Sequence, residues 1–334
     1  MKAVVHDKYG LPGDVLTLRE IDKPVAGDDE VLVRVCAASM HPDVWHVVTG
    51  WPFVLRLMGN GLLKPKRVVP GTDLAGVVES AGKNVTRFKE GDEVFGECIF
   101  GWRNGGAFAE YAAVREDALA LKPKNAGFAQ AASVATSGLI ALGNLRPKRI
   151  QPGHKVLING AGGNVGSLAV QIAKARGARV TGVDRGNKLE SIRSLGADQT
   201  IDYTKEDFLE RPERYDLIFD VASNLSLKDC KRALKPTGVY WLIGHDHFGT
   251  ASGAVVGSIP RMIGLMLRSF FDPHLPKLDF KFPSKQESME TLRQMLESGT
   301  ITPVIDRTFA LSEAPDAMRY MQEGRVVGRI VITP

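Results

Sequence analysis

Short apolar runs separated by turn-forming residues dominate the first 125 residues. Val31-Leu32-Val33-Arg34-Val35, Ala75-Gly76-Val77-Val78-Glu79 and Glu93-Val94-Phe95 read as strands; Pro70-Gly71, Ala81-Gly82-Lys83-Asn84 and Glu90-Gly91-Asp92 punctuate them. Many short strands with such punctuation predict a compact β-barrel. The pattern changes near residue 128. An Ala-rich helical stretch over 128–142 leads into near-continuous apolar strands over 155–158, 179–183, 199–201, 216–220 and 239–243, with helices over 163–176 and 188–195. Such a β-α-β series, buried on both faces, predicts a doubly wound parallel sheet.

An amphipathic helix follows over 284–297, and from 302 to 334 strands return around a helix over 311–322. This tail is expected to complete the first domain. The fold class is α/β: residues 1–126 plus 283–334 form a discontinuous β-barrel domain, and residues 127–282 the doubly wound domain.

Composition narrows the function. With 334 residues, 44% hydrophobic and 24% charged, the chain can fill two cores. The net charge of +5 comes from scattered Lys and Arg, which suits anionic ligands but is not a nucleic-acid footprint. Cys36, Cys98 and Cys230 form no C-x-x-C pair, which excludes a disulfide scaffold and a four-Cys zinc site. The N-terminus opens a strand and lacks an apolar leader core, which points to the cytoplasm. Residues 253–271 are apolar, yet Pro260, Arg261 and Arg268 are costly at bilayer depth, so no transmembrane segment is expected. A buried or lid-forming helix, a dimer surface and an interfacial membrane contact stand as its readings.

The strand over 155–159 runs into Gly160-Ala161-Gly162-Gly163-Asn164-Val165-Gly166 and then a helix. Glycines there permit the tight turn and the approach of a pyrophosphate to the helix N-terminus. Asp184 ends the next strand, 18 residues after Gly166, where an acid bonds an adenosine ribose. Arg185 and Lys188, just beyond it, suit a 2′-phosphate.

Strings along the whole chain resemble the medium-chain dehydrogenase/reductase superfamily. They are Val69-Pro70-Gly71-Thr72-Asp73-Leu74-Ala75-Gly76, Phe88 to Gly96, Gly106-Ala107-Phe108-Ala109-Glu110-Tyr111, the glycine loop, Leu195-Gly196-Ala197-Asp198, Ile201-Asp202-Tyr203 and Gly328-Arg329-Ile330-Val331. The likeness is closest to the zinc-free quinone oxidoreductase branch. It implies a GroES-like β-barrel domain, a Rossmann domain and a cleft between them. It places Lys188 and Tyr203, 15 residues apart, on a 2′-phosphate, and Thr136, Ile243, His245 and Arg329 at the cofactor. Asp184 departs from that branch and matches NAD-using relatives. NADP(H) is favoured slightly over NAD(H), and a homodimer is expected.

The resemblance also bears on metal. The family's zinc-ligand positions fall on His41, Thr72 and the stretch 134–137, which supply one ligand where a catalytic zinc needs three. No zinc is expected. A non-standard metal site built from His41, Asp43, His46, Asp73, His245 and His247 is the competing possibility.

Without a Lewis acid, an electron-poor carbon is the easier hydride acceptor, and the oxygen that gains charge needs a donor or a proton. His41, with Asp43 and His46 in Met40-His41-Pro42-Asp43-Val44-Trp45-His46, is the candidate catalytic group. The expected substrate is a small apolar or aromatic carbonyl or quinone. A zinc-free alcohol or carbonyl dehydrogenase and a non-catalytic cofactor-binding structural or regulatory protein are the alternatives.

Overall fold

The computed structural model describes residues 1–334 except 67, 99–105, 147–148, 245–252 and 278–282. Among the described residues, five parallel strands lie in the order Gln199–Asp202, Arg179–Asp184, Lys155–Asn159, Tyr215–Asp220 and Leu234–Leu242. The first strand in sequence sits at the centre, and the direction of winding reverses between it and Tyr215–Asp220. Ligands bind beyond the carboxyl ends of strands at such a switch point.

The second sheet is mixed. Its order is Ile305–Ala310, Arg329–Thr333, Glu30–Ser39, Asp73–Ala81, Glu93–Glu97 and Leu119–Leu121, with Tyr111–Arg115 also on Glu30–Ser39. The tail strand enters it by antiparallel pairs Val331–Ser39 and Ile332–Ala38. Lys2–Val5 and Thr17–Glu20 form a separate hairpin-like pair.

One core runs through both sheets. Ala37, Ala75 and Phe95 from the mixed sheet share it with Ala135, Ile158 and Met289. Helices Ala135–Asn144 and Lys285–Glu297 meet there; a Cβ on Gly138 would come 2.8 Å from Leu292 Cδ2, so the bare glycine lets them touch. A capping box starts the second helix: the Glu287 amide donates to Ser284 Oγ (3.1 Å), and the Ser284 amide to Glu287 Oε2 (2.8 Å).

The structure departs from the sequence reading in three places. The helix over 128–142 is two, Phe128–Ala132 and Ala135–Asn144. Tertiary donors occupy the carbonyls at the break: Ser39 Oγ donates to Ala132 O (2.8 Å) and Asn164 Nδ2 to Ser133 O (3.0 Å). Residues Pro42–Thr49, read only as a wall, form a helix with Pro at its first position and Gly50 (φ 63°) as its left-handed stop. The apolar segment contains helix Ile259–Arg268, which has no buried residue, so the buried-helix reading is corrected. No helix among the described residues is long and apolar enough to cross a membrane.

Candidate active site

The glycine loop turns strand Lys155–Asn159 into helix Asn164–Ala175 at the switch point. Gly160 has φ 82°, and a Cβ on Gly166 would sit 2.1 Å from Gly160 O, so only glycine lets the first helical turn approach this closely. The first amides of the helix, from Asn164, Val165 and Gly166, have no partner within it, which makes an anion site with the helix dipole. Asn164 is buried, and its Oδ1 has no hydrogen-bond partner. A dinucleotide pyrophosphate fits this cradle.

Asp184 ends the neighbouring strand. Its Oδ2 accepts from the Gly162 amide (2.8 Å), its Oδ1 from the Arg185 amide (2.8 Å), and Lys188 Nζ lies 3.6 Å from Oδ1. Lys188 is buried, its stem laid over Gly162; a Cβ on that glycine would meet Lys188 Cδ at 2.7 Å. Arg185 Nε donates to the Tyr203 hydroxyl at 2.8 Å, and both side chains are exposed. Residues Asp184, Arg185, Lys188 and Tyr203, spread over 20 positions, therefore form one rim.

A second cluster lies where the two sheets meet. Asp73 is wholly buried and ion-paired to Arg329 Nη2. Arg329 also donates from Nε to Ser39 Oγ (3.0 Å) and from Nη1 to Ser137 Oγ (3.2 Å). Asp73 Oδ1 accepts from the Thr136 amide (2.8 Å) and hydroxyl; Oδ2 accepts from Thr72 Oγ1 (3.2 Å). Burial pushes the Arg329 guanidinium below its ordinary value, and Asp73 opposes that. Arg329 and Thr136 were expected at the cofactor. The structure places their polar atoms on Asp73 and its neighbours, where an unpaired carboxylate would be costly.

This cluster is joined to the loop. The Gly328 amide donates to Gly162 O (2.8 Å), Arg329 holds Ser39, and the Met40 amide donates to Ile330 O (3.0 Å). Residue 41 follows directly. His41 caps helix Pro42–Thr49: its Nδ1 accepts from the Asp43 amide at 3.2 Å and lies 3.3 Å from Asp43 Oδ2. The amide requires a lone pair on Nδ1 and the carboxylate a proton. On the amide contact Nδ1 keeps its lone pair and Nε2 carries the proton; on the carboxylate contact Nδ1 carries a proton, and Nε2 is bare in the neutral ring and protonated in the imidazolium. That Nε2 is buried and has no hydrogen-bond partner.

Asp43 thus touches His41, and His46 does not: its Nδ1 lies 2.6 Å from Trp51 O, and its ring sits edge-on to Trp45 at 5.0 Å. Ile243 is half-buried, its amide on Asp220 O (3.0 Å). His245 and His247 lie outside the described residues. Among the described residues no three His, Cys, Asp or Glu side chains cluster as for a metal.

Sequence reading missed a third cluster. Asp220, ending the fourth strand, accepts from Asn159 Nδ2 (2.8 Å), the Ser223 amide (2.8 Å) and the Tyr240 hydroxyl (2.9 Å). Burial raises its carboxyl above the usual range and pushes the Tyr240 hydroxyl far up. Arg261 donates to Tyr240 Oη (3.0 Å) and Ser223 O (2.5 Å). An acid closing an apolar strand, the signal that marked Asp184, also marks Asp220.

Comparison with known proteins matches this geometry. A profile for the alcohol dehydrogenase GroES-like domain covers residues 27–124, and one for zinc-binding dehydrogenases covers 195–332. The chain is 35% identical to a 2-methylene-furan-3-one reductase of Solanum lycopersicum, over all of this chain and 79% of that one. It is 36% identical to a chloroplastic NADPH-dependent alkenal/one oxidoreductase of Arabidopsis thaliana, over all of this chain and 80% of that one. The solved quinone oxidoreductase of Coxiella burnetii superposes with a TM-score of 0.82 at 28% identity, covering 100% and 99% of the two chains. With its barrel-like sheet, its doubly wound sheet and its glycine loop at the switch point, the chain belongs to the medium-chain dehydrogenase/reductase superfamily, in the quinone oxidoreductase-like branch.

Proposed function

We propose that this chain is a zinc-independent, NADP(H)-preferring reductase of quinones or α,β-unsaturated carbonyls, with His41 as the donor to the acceptor oxygen. The observation that carries the role of His41 is its Nε2: buried and unpartnered, two residues from Ser39 in the cluster that Gly328–Ile330 ties to the glycine loop. A buried donor left unsatisfied costs stability, which suits a group that bonds its ligand. The named substrates of the two relatives above, an exocyclic enone and alkenals or enones, are of the class proposed.

The residues fit a dinucleotide. Asn164, Val165 and Gly166 would hold the pyrophosphate by their amides, and Arg185, Lys188 and Tyr203 would serve the adenosine ribose. Lys188 and two amides already neutralise Asp184, which lowers its repulsion of a 2′-phosphate, and the Arg185 guanidinium is left at the rim. When bound, the nicotinamide supplies the hydride. As charge builds on the acceptor oxygen, His41 would donate a hydrogen bond from Nε2; full proton transfer requires the imidazolium, which would give up the Nε2 proton and remain a neutral ring with its Nδ1–H on Asp43.

The residues at the zinc-ligand positions are committed elsewhere: Thr72 to Asp73, Ser137 to Arg329, and His41 Nδ1 to the helix it caps. The three cysteines are free, which fits a reducing compartment such as the cytoplasm. The test is turnover of NADPH and NADH with a panel of quinones and enones, against secondary alcohols with NADP, each with and without a chelator. Enone or quinone reduction that survives chelation supports the reading. Activity lost on chelation, or confined to alcohols, overturns it, and no turnover at all leaves a cofactor-binding protein.

A further inference from the structure

Helix Ile259–Arg268 is amphipathic the wrong way round for a surface helix in water. The stripe facing the protein is largely polar: Ser258 and Ser269 are buried, and Arg261 donates to Ser223 O and Tyr240 Oη. Leu265 packs on the core there, and Met262 and Met266 at the edge of this stripe line an apolar pocket with Tyr240, Leu242 and Leu275. The stripe facing out is Ile263, Leu267 and Phe270, each between 48% and 66% exposed, with Phe271 beyond it 91% exposed. A helix that turns its apolar face to solvent has that face intended for something else.

The helix does not stand alone. The Phe53 amide donates to Ala254 O (2.6 Å) and the Val54 amide to Val255 O (3.1 Å), so residues 53–54 and 254–255 are zipped together. Leu57, Met58 and Leu63 in the neighbouring loop are 64%, 72% and 89% exposed. Most of the exposed large apolar side chains among the described residues lie in these two stretches. They share a charge pattern. No acidic residue occurs from 44 to 72 or from 247 to 271, while Lys64, Lys66 and Arg268 are exposed there.

We propose that these two segments form one face by which the protein docks on an anionic lipid bilayer, lying on it and not crossing it. Apolar side chains entering the acyl boundary with flanking cations at the headgroups are the requirements of an interfacial helix. A second copy is the competing occupant. An isologous contact would bring Lys64, Lys66 and Arg268 against their own kind with no carboxylate on either segment to pair them. The inference is independent of the cofactor and acceptor assigned above, because it is read from binding and not from turnover.

The test is flotation of the full chain with vesicles of phosphatidylcholine alone and of phosphatidylcholine mixed with phosphatidylglycerol, beside sedimentation without lipid. The chain is expected to float with the anionic vesicles and far less with the neutral ones. Leu267→Ser with Phe271→Ser, both outward-facing, should abolish flotation while leaving turnover and unfolding unchanged. Lys66→Glu with Arg268→Glu should weaken it about ten-fold or more, as for loss of cations near a charged surface. No flotation with anionic vesicles, or flotation indifferent to the serine variant, overturns the proposal. So does a concentration-dependent dimer that the serine variant dissolves, since it gives the face to a second copy.

Discussion

Two charged clusters flank Gly328–Arg329, and they are built on opposite plans. Around Asp73 everything is sealed: Asp73 and Arg329 are 0% and 2% exposed, and their hydrogen-bond partners come from strand Glu30–Ser39, helix Ala135–Asn144 and Thr72. Around Asp184 the inner half is sealed and the outer half open, since Lys188 is buried on the carboxylate while Arg185 and Tyr203 stand in solvent. The first cluster fixes the position of segments. The second holds cations at an edge where an anion can reach them. A buried pair gives position only if complete, and a recognition site must stay incomplete until its ligand arrives.

Breaking the sealed cluster should have the largest effect. Arg329→Met leaves Asp73 charged, buried and unpaired, and should cost about 3–5 kcal/mol in urea unfolding. Pairing it with Asp73→Leu should restore most of that loss; a double variant as unstable as the single would show that Arg329 acts through something other than Asp73.

His41→Ala sits between the clusters and separates chemistry from folding. It should lower kcat by about 100-fold, while losing only about 1 kcal/mol as a helix cap. Unchanged turnover would remove His41 from the mechanism.

At the open cluster, Arg185→Ala and Lys188→Ala should each raise KM for NADPH about ten-fold with little change for NADH, the loss of one charge-assisted contact. Equal loss for both cofactors would mean that these side chains only support the loop.

The smallest effect is a slope. Burial raises the carboxyls of Glu97 and Asp220, so the folded state holds protons that the unfolded state has released. Stability should therefore fall as pH rises from the ordinary carboxylate range through these raised values, and level off above them. Glu97→Gln should flatten that fall in unfolding midpoints measured across pH; an unaltered profile would show that Glu97 is already free to ionise through Lys285, 2.5 Å away.

What could be read in advance was what neighbours in sequence decide. The apolar run over 155–159, the glycines after it and Asp184 at the end of the next strand depend on periodicity and local backbone freedom, and they were legible together. The capping signal at Ser284 and Glu287 is likewise local. His41 was legible only as a residue type in a resembling position. Its use as a helix cap, with Nε2 buried and without a partner, comes from the turn into Pro42–Thr49.

The chain by itself determined the two sheets, the loop that receives a dinucleotide and the family, because hydrophobic period and glycine placement act over a few residues. Tertiary structure alone decided three things. It paired Asp73 with Arg329 across 256 positions and brought Thr136 onto the same carboxylate. It folded Lys188 onto Asp184 and brought Tyr203 to Arg185. It turned the apolar stripe of Ile259–Arg268 outward by drawing Arg261 in to the carbonyls of the loop after strand Tyr215–Asp220. Each depends on which groups burial leaves without water, and that is set only when distant elements meet.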